Sequence, residues 1–186
     1  MSLIDSTYFI GGINLPGGSL TGDLSDIDAY ITMYEKEALI DLLGYTLYKD
    51  FIANPTDTRW TRFSAGYEYT VEYGGDTHSI KWNGLVNDEK VSLLAYYIYY
   101  KYVEFHVTHT SGFGELLQNS ENASKISITQ KRVNAWNRFI ELRGIPSDSE
   151  INPTCYNFLN EYEDDTTYGY DSWLFNVFRR TNTFGI

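Results

Sequence analysis

A chain of 186 residues, 42% hydrophobic and 21% charged, has the make-up of one folded globular domain, which excludes a disordered chain. Its formal net charge of −11 argues against wrapping around nucleic acid, which needs surplus lysine and arginine, and against docking on an anionic membrane. The 17 tyrosines outnumber the 14 lysines and arginines, and a large ring with a polar tip suits surfaces that are part dry and part wet.

Residues 1–24 read as an extended arm, punctuated by Gly11-Gly12, Pro16 and Gly17-Gly18. Its opening, "MSLIDSTYFIGG", lacks a basic segment, and Asp5 interrupts the apolar stretch, unlike a signal peptide. "SDIDAYITMYEKEALIDLLG" starts a helix. Ser25 is the expected N-cap, and Asp26 and Asp28 suit the positive end of the helix dipole. Ile27, Tyr30, Ile31, Tyr34, Ala38 and Leu42 recur at helical spacing. Gly44 is the natural stop. "LYKDFIA" makes a second short helix that ends before Pro55, and "RWTRFSAG" adds one or two turns.

The period then changes. In "YEYTVEY", Tyr67, Tyr69, Val71 and Tyr73 alternate with Glu68, Thr70 and Glu72, and after "GGDT" the segment "HSIKW" alternates again. This is a β-hairpin over 67–82 with one buried and one wet face. "VSLLAYYIYYKYVEF" is too long and too apolar on both sides for a strand. As a helix from about 88 to 109, capped by Asn87 or Asp88, it places Lys90, Tyr97, Lys101 and Glu104 in one narrow stripe. It is therefore expected to be a central helix, covered by its own domain or by a neighbouring subunit.

"TSGFGELLQNSENAS" reads as a loop. "SITQKRVNAWNRFIELRG" is a helix with Ser127 and Gln130 as a capping box. Val133, Trp136, Phe139 and Ile140 form its buried face, Lys131, Asn134, Arg138 and Glu141 its wet stripe, and Gly144 and Pro146 its stop. A last helix, "TCYNFLNEYED", is expected to open with Asn152 as cap and Pro153 in its first turn. Residues 165–186 form an aromatic arm that covers the core or packs on another chain. The whole is a single mainly α domain: a helical core over 25–164, a bundle of three to five helices with one inserted hairpin, and extended arms at both ends.

Candidate chemistry is sparse. His106 and His109, spaced three apart near Glu104, lack a third ligand placed by sequence. Asp23, Asp26 and Asp28 lack the calcium-loop spacing and its distal glutamate. Gly112 and Gly114 lack the lysine and preceding strand of a phosphate loop. Cys155 is the one cysteine, so no intrachain disulfide forms, and it reads as a small core residue. No catalytic, cofactor or metal site is therefore expected, and the chain is read as non-enzymatic. No apolar run approaches the ~20 residues needed to span a bilayer.

"YEKEALIDLLGYTLYKDFI", "RWTRFSAGYEY", "IKWNGL", "SLLAYYIYYKYVEF", "TSGFGELLQNSENAS" and "AWNRFIE" together resemble a group of prophage proteins from gut-type bacteria. These are similar to head–tail connector (adaptor) proteins of tailed phages. The resemblance covers roughly residues 25 to 142 and lies in aromatic and glycine spacing. It implies a small, mostly helical subunit that assembles as a ring beneath the portal, extends the DNA channel and receives a tail protein. It implies a place at the virion head–tail junction, after assembly in the bacterial host cytoplasm. The hairpin at 67–82 is an addition that the connector bundle does not require. Net acidity suits a channel through which duplex DNA slides without tight binding. On this reading Tyr97, the aromatic in an otherwise polar stripe, and Trp173, Phe175 and Phe178 of the C-terminal arm are the candidate subunit contacts. The alternative is an aromatic-rich carbohydrate- or ligand-binding module.

Overall fold

The computed structural model describes residues 2–15, 21–106, 108–111, 114–117, 128–165, 167, 169–171 and 173. The fold is mainly α, with the predicted hairpin inserted. Helix α1 spans Thr21–Ala53 but is broken at Gly44, whose φ of 76° and ψ of 159° are not helical. The glycine stop thus falls where the sequence put it. The start does not: the helix begins at Thr21, before Ser25, and runs through Gly22. Helix α2, Thr58–Ala65, is capped by Asp57, whose carboxylate accepts the Arg59 amide.

Strands β1 (Tyr67–Tyr73) and β2 (Asp76–Trp82) pair antiparallel from Tyr67↔Trp82 to Tyr73↔Asp76. Gly74 and Gly75 form the two-residue turn, both with positive φ (66° and 94°), as the right-handed strand twist demands. Tyr69, Val71, Ile80 and Trp82 are buried, while Tyr67 and Tyr73 at the two ends of the face stay exposed.

Helix α3 spans Leu93–His106, shorter at both ends than the sequence pattern predicts. The chain before it is a turn closed by Asn87. Its side chain accepts the Val91 amide (3.1 Å) and donates to the Val91 carbonyl (2.8 Å), and Lys90 adopts φ 57°. Ser92, not Asn87 or Asp88, caps the helix by accepting the Leu94 amide. After the helix, β3 (Thr108–Ser111) and β4 (Gly114–Leu117) pair antiparallel, a second hairpin where a loop was expected. Gly114 opens β4, and the threonines at 108 and 110 favour extended backbone. His106 ends a helix and His109 lies in a strand, so the two do not share a helix face.

Helix α4 is Ile128–Arg143, and Gly144 follows with φ 79° and its amide on the Ile140 carbonyl. The expected cap Ser127 lies outside the described residues. Helix α5, Cys155–Glu161, is capped by Thr154, which accepts the Asn157 amide at 3.2 Å. Asn152 instead offers its carbonyl to the Asn157 side chain (2.9 Å).

One core results. Helix α3 packs between α1 and α4, and no residue from Leu93 to Glu104 is exposed. The tyrosine-rich stretch is therefore covered by its own chain. Tyr102 meets Tyr30 edge-on (5.3 Å), Tyr97 meets Phe139 (5.2 Å) and Tyr100 meets Trp136 (5.0 Å). The aromatic part of the same core joins α1, α2, the β1–β2 hairpin, α5 and the segment at Tyr170 around Phe63.

The N-terminal segment folds inward. The expected N-terminal arm forms 3-10 turns at Ser6–Tyr8 and Gly11–Ile13, and Ile4, Tyr8, Phe9, Ile13 and Leu15 enter the core. Glu35, 6% exposed, holds this segment: its carboxylate accepts the amides of Leu3 (2.9 Å) and Ile4 (3.2 Å). Burial raises the Glu35 pKa above the ordinary glutamate value, against the pull of the two amides. The folded chain therefore holds this proton to higher pH than the unfolded chain. The stability linked to it is present below the ordinary glutamate pKa and falls as pH rises through the folded value. Urea midpoints across that interval are expected to show Glu35→Gln gaining on the wild type as pH rises. A Glu35→Gln midpoint that falls relative to the wild type as pH rises would contradict this.

Candidate functional site

The C-terminal residues placed by the structure are straps. The Trp173 indole donates to the Leu42 carbonyl (2.8 Å), and the Tyr170 hydroxyl donates to the Arg59 carbonyl (3.0 Å). Arg59 in turn donates to the Gly169 carbonyl (3.1 Å) and pairs with Asp50, which also accepts the Trp60 indole (3.0 Å). Trp173 is thus buried against its own chain. Phe175 and Phe178 lie outside the described residues.

Tyr97 is 3% exposed and belongs to a polar seam between α1 and α3. Helix α1 contributes Glu37 and Asp41, one turn apart, and α3 contributes Tyr97 and Lys101, also one turn apart. The Tyr97 hydroxyl donates to Glu37 Oε1 (2.7 Å) and reaches Asp41 Oδ2 (3.4 Å), and Lys101 Nζ lies 2.9 Å from Glu37 Oε1. Burial works to raise the Glu37 pKa, but the Tyr97 hydroxyl and the Lys101 ammonium outweigh it and hold the carboxyl below its ordinary value. Asp41 is pushed the other way by burial and by repulsion from Glu37. Burial and the two carboxylates push the Tyr97 hydroxyl far above the usual tyrosine range, so it remains a donor.

Arg143, 2% exposed at the end of α4, lies within the field of Asp41 and Cys155. Burial lowers its pKa to about 10, which leaves it charged at neutral pH. Cys155 is pushed up to about 12 by burial, so its thiol is protonated and unreactive at neutral pH. The seam locks helices together. The sequence pattern places Lys90, Tyr97, Lys101 and Glu104 in one narrow, otherwise polar stripe, and its members on α3 meet partners on α1 and α4, including Arg132 at 3.5 Å from Glu104. The missed signal is the matched spacing: two acids one turn apart on α1 against a hydroxyl and a cation one turn apart on α3.

The surface has a different character. Met33, Tyr45 and Ile52 on α1 are 64%, 62% and 55% exposed. Basic groups are mostly engaged inward. Arg62 is sandwiched between the Tyr67 and Tyr162 rings (3.7 and 4.3 Å), and Lys90 lies over Tyr8. Lys36, Lys49 and Lys81 are the exposed basic residues among those described, against a far larger number of exposed acids. Among the described residues, no group of three or more His, Cys, Asp or Glu side chains is placed to hold a metal ion, and no helix is long and apolar enough to cross a membrane. No family model matches this chain, and no curated protein or solved structure does.

Proposed function

We propose that this chain is a non-enzymatic structural protein of a prophage virion, a head–tail connector (adaptor) subunit that assembles as a ring at the portal. The observation that carries the reading is the exposure of Met33, Tyr45 and Ile52 on one helix. Tyr45 and Ile52 stand on one helix face, and neighbouring exposed apolar groups of this kind are what a subunit covers in its assembly. The aromatic and glycine spacing over roughly residues 25 to 142 adds the connector family to this. Its partners are then further copies of itself and the portal and tail proteins, at the virion head–tail junction after assembly in the host cytoplasm. The acid excess lets duplex DNA pass through the channel without adhering.

Native mass spectrometry of the purified chain should give one closed oligomer of fixed stoichiometry, with a central hole in electron micrographs. A monomer at every concentration would sink the reading. Electrophoresis with duplex DNA at low salt should show no retained complex, and tight binding would remove the channel role.

A further inference from the structure

We propose that the α1 face carrying Tyr45, Lys49 and Ile52 docks on the acidic end of a second copy of this chain, formed by Glu150, Glu161, Glu163 and Asp164. The inference rests on the self-assembly reading above and supplies its orientation. On the α1 side, positions 45, 49 and 52 recur at helical spacing and share one face beyond the Gly44 break. Tyr45 and Ile52 are both more than half exposed, and Lys49 Nζ lies 5.9 Å from the Tyr45 ring centroid. A cation is thus presented between two apolar groups.

Among the described residues, exposed cations are few: Lys36, Lys49 and Lys81. Arg59, Lys101, Arg132 and Arg138 are all committed to carboxylates of their own chain. The complementary surface lies around α5. Residues 144–173 contain no lysine or arginine, and Glu150, Glu161, Glu163 and Asp164 are all exposed. Glu161 and Glu150 lie close enough to repel: burial and then Glu150 raise the Glu161 pKa. An opposite charge from outside the chain would relieve that repulsion. An apolar face centred on a lysine and an acidic end are unlike surfaces on one molecule. Their contact is heterologous and joins copies head to tail, and charge sets the pairing.

The test uses full-length chains in native mass spectrometry and sedimentation equilibrium. Lys49→Glu alone, and Glu150→Lys, Glu161→Lys, Glu163→Lys and Asp164→Lys together in a second variant alone, should each associate at least about tenfold more weakly than wild type, because each then sets like charges against each other. An equimolar mixture of the two should recover association, since every contact between unlike variants pairs opposite charges. Tyr45→Ser with Ile52→Ser should weaken association without rescue by either partner. Wild-type association by Lys49→Glu overturns this surface and leaves self-assembly standing. A monomeric wild type overturns both. Protection of Tyr45 and Ile52 within a monomer would assign the face to residues 174–186 of the same chain and also overturns the proposal.

Discussion

Phe63→Ala should cost about 3–5 kcal/mol of stability, read as a lowered midpoint in urea unfolding. Phe63 is fully buried, and its ring is the hub of the aromatic core. Phe51 and Trp60 meet it edge-on at 6.2 Å, Trp82 and Phe158 stack on it at 6.4 and 6.5 Å, and Tyr170 tilts over it at 6.3 Å. These rings come from α1, α2, β2, α5 and the strap after α5. Three of the five rings cannot slide into the vacated space without releasing an anchor: Trp60 is tied to Asp50, Trp82 to the Phe63 carbonyl (2.9 Å) and Tyr170 to the Arg59 carbonyl. The cavity therefore stays open, which puts the loss at the upper end of the range for such truncations. Tyr73→Ala, an exposed ring on the hairpin, should shift stability by less than about 0.5 kcal/mol. A similar small effect at Phe63 would refute the hub.

Gly84→Ala should be nearly as damaging, at about 3–5 kcal/mol from backbone strain and overpacking together. Gly84 has φ 78°, and a Cβ there would lie 2.4 Å from the Gly66 amide nitrogen, 2.5 Å from the Ser64 carbonyl oxygen and 2.6 Å from the Ala65 carbonyl carbon. All three are main-chain atoms, so no side chain can swing aside. The chain leaving β2 crosses the corner between α2 and β1 here, and Leu85 and Val86 both donate their amides to the Ser64 carbonyl (2.8 Å each). Gly75→Ala supplies the control. Its φ of 94° is strained for alanine, but nothing lies within 4 Å of the added carbon, so about 1–2 kcal/mol is expected. Thermal melts of the two variants separate strain alone from strain plus collision. Equal losses would mean that the crossing yields.

Much of this architecture is legible from local pattern. The strict alternation of Tyr67, Tyr69, Val71 and Tyr73, followed by Gly74-Gly75, specifies the hairpin because strand period and turn chemistry agree. Gly44 and Gly144 end helices because the left-handed backbone there favours a residue without a Cβ. The start of α3 is hidden because Asp88 and Glu89 look like a helical first turn, whereas Asn87 closes a tight loop through its side chain. The second hairpin is hidden because four-residue strands are too short to display a period. The N-terminal segment is irregular, so its burial leaves no repeating signal. Glu35 gives no clue in sequence that its carboxylate grips amides 31 and 32 positions away. The seam of Glu37, Asp41, Tyr97 and Lys101 fails for the same reason, since its paired residues lie 56 to 64 positions apart.

The strap has one more consequence, for biosynthesis. Arg59 and Tyr170 are joined across 111 positions, and Leu42 and Trp173 across 131. On the ribosome, α1, α2 and the first hairpin emerge long before the rings of Phe158 and Tyr170 that close around Phe63. The nascent first half must wait with its aromatic centre uncapped, and at ~5–20 residues per second that wait lasts several seconds. A translational pause between α4 and α5 would lengthen it, so the chain's yield in the cell depends on the speed of its own synthesis as well as on its final stability.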